Sequence, residues 1–137
     1  MVAPYIGRVE ATIPAQATAA TDERTVVARA PFNGSVTRVA YTPESDITGV
    51  NTNTRRFSLV NRGQDGNGAV EIAALQMNAG TNASDFDELL LTLNATPANL
   101  NVVAGDILEF FSDALATGIT DPGGIVNIEF SRSTTPG

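Results

Sequence analysis

The chain has no cysteine, histidine, tryptophan or lysine, and each absence removes a class of function. Without cysteine there is no disulfide framework and no thiolate metal site, so folding rests on packing and assembly. Without histidine the commonest general base and metal ligand are missing, and without lysine as well no nucleophile-and-base constellation can be drawn. The chain is therefore read as non-enzymatic, with no cofactor and no metal. The aromatic most used in sugar-binding platforms is gone, and only two tyrosines stand in for it. No apolar run approaches the roughly 18 to 20 residues that a spanning helix needs. The start, MVAPYIGRVE, has neither the basic beginning nor the apolar centre of a secretory signal. Cations are few: 15 acidic side chains against 8 arginines give a formal net charge of -7, which repels nucleic-acid phosphates. Neither nucleic acid nor membrane is expected as a partner.

The 137 residues suffice for one domain with one core. The dominant stretch runs from Thr52 to Ala79. Arg55 to Asn61 alternates with Phe57 and Leu59 on one side, and Ala69 to Met77 carries Val70, Ile72, Leu75 and Met77. Between them Gly63, Asp65, Gly66, Asn67 and Gly68 supply the turn chemistry of a hairpin. Val70 and Ile72 differ in parity from Leu75 and Met77, so a bulge near Ala73-Ala74 is expected to restore the register.

Arg24 to Ala30 and Ser35 to Thr42, joined across Pro31 and Asn33-Gly34, read as another hairpin. Glu44 to Asn53 is a polar loop apart from Ile47 and Val50. At Asp85 to Leu93 helix and strand compete: Asp85 and Glu88 have capping-box spacing, whereas Leu89, Leu91 and Leu93 fit a strand face, and the short run favours strand. Ala104 to Asp113 puts Leu108 and Phe110 on one face and Ile107 and Phe111 on the other, as a central or interface strand would. Thr117 to Gly124 carries Asp-Pro-Gly turn chemistry, and Ile125 to Ser131 turns Val126, Ile128 and Phe130 inward. The expected fold is all-β, an antiparallel β-sandwich or jelly roll of about seven to eight strands over residues 23–133.

Residues 1–22 read as an extended N-terminal arm, since Pro4 and Pro14 interrupt them and AQATAATD has no periodicity. Tyr5, Ile6, Val9 and Ile13 could then lie on a neighbouring surface; a loosely ordered terminus is the alternative. Residues 134–137 read as a short tail. Arg55, Arg56 and Arg62 cluster around one strand and either bind carboxylates of a partner or pair within the chain. The acidic group Asp85, Asp87 and Glu88, with Glu109 as a conceivable partner, lacks the ligand spacing of a calcium loop and reads as a solvated strand entry. The Gly63–Gly68 turn lacks both the lysine and the following helix of a phosphate cradle.

The run GSVTRVAYTPESDITGVNTNTRRFSLVNRGQDGNG, followed by FDELLLTLNATPANLNVVAGDILEFFSDALATGITDPGGIVNIEF, covers about Gly34 to Phe130. It resembles small proteins encoded among the structural genes of tailed bacteriophages, those of actinobacterial hosts above all, that look like head decoration, or cement, proteins. The resemblance implies a virion structural protein on the outer capsid surface, made in the host cytoplasm. It implies the major capsid protein as partner, a homo-oligomer in which a trimer is favoured, and no catalytic residues. Two other readings stand beside it: a minor tail or head-fibre protein contacting the host surface, and a carbohydrate-binding recognition module.

Overall fold

The computed structural model describes residues 6–133. Ten strands lie among them: β1 Ile6–Ile13, β2 Glu23–Arg29, β3 Gly34–Pro43, β4 Arg55–Asn61, β5 Val70–Gln76, β6 Leu89–Leu90, β7 Thr92–Leu93, β8 Asn101–Val102, β9 Ile107–Ala114 and β10 Gly124–Arg132. A short 3-10 turn covers Pro97–Leu100. One sheet has the order β1-β10-β3-β6 with β8 also on β3, and the other has β2-β9-β4-β5-β7. Every pairing is antiparallel, and the pairs nest: β4 with β5, β3 with β6 and β8, β2 with β9, β1 with β10. A long hairpin rolled on itself so that successive strands alternate between two sheets is a jelly roll.

The nesting explains why the expected N-terminal arm is not an arm. Residues Ile6–Ile13 form the outermost partner of β10, in register over their full length. Val9 and Ala11 pack against the core and Ile13 lies within it at 2% exposure, while Arg8, Glu10 and Thr12 face solvent. That is the period-2 alternation of a half-buried strand. Pro14 follows the strand rather than breaking it. Tyr5 and the expected tail, residues 134–137, lie outside the described residues.

A second correction concerns Arg24 to Ala30 and Ser35 to Thr42. They do not form a hairpin, because β2 pairs with β9 in one sheet and β3 with β10 in the other. The link is engaged elsewhere. The Ala30 amide donates to the Asp106 carbonyl, the Gly105 amide to the Ala30 carbonyl, and the Ala104 amide to Asn33 Oδ1. With Phe32 buried, residues 30–33 carry the chain between the layers.

Asp85 to Leu93 is not one strand either. Leu89 and Leu90 pair with β3, Thr92 and Leu93 pair with β5, and buried Leu91 carries the chain across between the sheets. No helix forms there; Asp87 Oδ1 instead accepts the amide of Glu88 at 2.8 Å.

The β4–β5 hairpin stands as expected. Its bulge lies at Ile72: Leu59 opposes Ala73 and Val60 opposes Glu71, which turns Ile72 and Ala73 both into the core. At the centre, Tyr41 packs on Phe57 and Phe110 with ring centroids 5.0 and 5.2 Å away. Phe110 is therefore core rather than a contact between protomers, and β9 is a central strand between β2 and β4.

Candidate functional site

A dense, buried polar constellation is built on β4. Arg55 has the same parity as Phe57 and Leu59, so the alternation that sends those side chains inward sends the guanidinium inward with them. Its exposure is 0%. All five N–H groups are used: Nε donates to the Ile119 carbonyl at 2.7 Å, Nη1 to the carbonyl and Oγ of Ser112, and Nη2 to the carbonyls of Ala19 and Thr21. Ser112 Oγ donates in turn to Asp121 Oδ2 at 2.8 Å, and Asp121 Oδ1 accepts from the Tyr41 hydroxyl at 2.6 Å and the Gly123 amide at 3.0 Å. A cation and a carboxylate are thus joined through a serine, each fully hydrogen-bonded, which is the condition for tolerating them in a dry interior.

Burial lowers the affinity of Arg55 for its proton, opposed by the charges of Asp121, Asp22 and Asp113. Burial, and then the Asp121 charge, push the Tyr41 hydroxyl far up, so it stays a neutral donor. Tyr41, Arg55, Ser112 and Asp121 are all buried, and no solvent reaches the serine hydroxyl. The network's chemistry is that of a clasp. It ties β3, β4 and β9 to two loops, residues 14–22 and 115–123. Gly118, at φ 65°, lets the loops touch: a Cβ there would stand 2.0 Å from the Ala19 carbonyl oxygen.

The expected partner-binding residues are scattered. Arg55 is internal, which overturns its expected role at a surface. Val9 and Ile13 face the sandwich interior from β1, and Ile6 pairs with Ser131 through the backbone. Arg56 and Arg62 lie on the outer face of the second sheet, and both are paired within the chain. Arg56 grips Glu71 with two bonds of 2.7 Å, a pairing that raises its pKa, and Arg62 bonds Glu109 at 2.8 Å and the Gly68 carbonyl at 3.2 Å. Glu109 also takes Arg24, whose guanidinium lies 4.0 Å from the centre of the Phe111 ring. On this outward face Ser58 and Val60 are nevertheless buried, as expected where long arginine stems cover a sheet.

What the surface offers instead is Phe86, which the sequence reading passed over. It sits in the loop between β5 and β6 and is 76% exposed. Its φ of 57° is in the left-handed region, a conformation that costs a bulky residue about 1–2 kcal/mol. The loop is pinned in place: the Phe86 amide donates to the Pro43 carbonyl at 2.9 Å, and the Asp85 amide to Asp46 Oδ1 at 2.7 Å. Asp46, Asp85, Asp87 and Glu88 are exposed around it, and Glu88 pairs with Arg38. Among the described residues no group of three or more acidic side chains is placed to hold a metal ion. No known protein family, curated protein or solved structure matches this chain.

Proposed function

We propose that this protein is a phage virion structural protein that binds the outer surface of the capsid and stabilises it, a decoration or cement protein. The observation that carries the reading is Phe86. A loop held by hydrogen bonds to Pro43 and Asp46 keeps a large apolar ring out in water, at a cost in backbone strain, among carboxylates. A ring so presented is the kind of anchor that dominates a protein interface. It fits a shell subunit that offers an apolar pocket with a basic rim.

The resemblance of Gly34 to Phe130 to phage decoration proteins supports the same reading, and the jelly roll is compatible with it, since that architecture serves viral shells as well as lectins. Each attachment is modest, but copies repeated over a lattice, and oligomers touching several subunits, gain by multivalency. The major capsid protein is the proposed partner. The resemblance favours a trimer.

The test is sedimentation of labelled protein with mature heads that lack it, followed by counting the copies bound. Saturable binding at a number matching the shell's lattice sites is expected. Phe86→Ala should weaken that binding by about tenfold or more without changing the melting temperature. Absence of binding to heads, with binding to tails or cell walls, would replace this reading by the minor tail or head-fibre one.

A further inference from the structure

We infer that β1 is a self-association edge, pairing antiparallel with β1 of a second copy about a two-fold axis centred on Val9. This goes beyond capsid attachment and does not depend on it. In the first sheet β1 is the outermost strand, and among the described residues none of Ile6–Ile13 makes a backbone hydrogen bond other than with β10. The strand is regular over eight residues, without a register shift. The other edges are blunted. The β2 edge carries a bulge between Val26 and Ala28, and β6, β7 and β8 have two residues each. A long, regular, unpaired edge is a template for another strand unless something guards it.

The outward side chains of β1 select both partner and register. Arg8 and Glu10 are exposed, and among the described residues their only ion pair is with each other at 4.0 Å. In a two-fold antiparallel pair that keeps both cores on the same side, the axis passes through a residue facing its own copy. Centring on Arg8 sets two guanidinium groups opposite, and centring on Glu10 sets two carboxylates opposite. Centring on Val9 sets each Arg8 against the other copy's Glu10, twice over. Directly opposed like charges destabilise a strand pair and opposed unlike charges stabilise it. The same register covers half-buried Val9 with its own copy and extends the first sheet across the axis. The contact is isologous and closes as a dimer, in contrast to the trimer that the resemblance favours.

Equilibrium sedimentation of the full chain tests this. The wild type is expected to be a dimer in reversible exchange with monomer. Arg8→Glu alone, or Glu10→Arg alone, should raise the dissociation constant by about tenfold or more. R8E together with E10R should restore dimerisation, because the pairs are exchanged but still matched. Both side chains are exposed, so at a concentration low enough for the wild type to be monomeric a thermal melt of each variant should match it. A wild type that stays monomeric or forms a trimer, single variants that associate as the wild type does, or a double exchange that fails to restore the dimer would each overturn the proposal.

Discussion

At Arg55, truncation would strip the donor from the carbonyls of Ala19, Thr21, Ser112 and Ile119 at once. It would also leave Asp121 buried without its bridged cation. Arg55→Met is therefore expected to lower stability by roughly 3–5 kcal/mol in urea unfolding, the range for breaking a buried, hydrogen-bonded charge pair from one side. Tyr41→Phe should cost about 1–3 kcal/mol, towards the lower end, because Asp121 keeps Ser112 and Gly123 as donors. Asp113 behaves in the opposite sense. Burial first, and the neighbouring Asp22 second, raise it above the usual carboxylate range. The folded chain holds that proton more tightly than the unfolded one, so ionised Asp113 works against folding at neutral pH, and the penalty fades as pH falls through the raised value. Asp113→Asn should raise stability at neutral pH, with the gain shrinking as pH falls into the acid range, measured by thermal melts across that range. The inward position of Arg55 was legible, since it shares parity with Phe57 and Leu59. Parity alone does not decide it, because buried arginine is rare and the acceptors that make it tolerable come from loops distant in sequence. Nothing local marks Phe86 as exposed; the turn geometry of its loop decides that.

Among the elements, β1 carries the largest consequence. Removing residues 1–22 would take away Ile13, strip β10 of its ladder with β1 and orphan Arg55 from the Ala19 and Thr21 carbonyls. The shortened chain is expected to lose its cooperative unfolding transition. A truncated protein that melts like the full chain would show that β1 is dispensable. Strands β3, β4, β9 and β10 were readable from the positions of their apolar residues, and so was the β4–β5 hairpin from its glycine-rich turn. Partnership was not. Pairs such as β1 with β10 and β2 with β9 join opposite ends of the chain, and a short link like Pro31–Asn33 reads as a turn whether it closes a hairpin or crosses between layers. β1 was obscured because its apolar residues are few and Ala11 contributes little to a hydrophobic pattern.

For the whole molecule, the two faces differ from the ends. The outer face of the second sheet is covered by its own arginine and glutamate pairs, whereas the Phe86 loop holds an apolar ring in solvent and the β1 edge presents backbone groups that no other strand among the described residues pairs. A chelator such as EDTA is expected to leave the melting temperature unchanged, since stability rests on the nested sheets and the Arg55 clasp. The most direct test of a cement role is the temperature at which mature heads release their DNA, measured with and without saturating protein. A rise on decoration, lost in parallel with binding for Phe86→Ala, is the expected result. Heads fully decorated yet releasing DNA at the temperature of bare heads would contradict it.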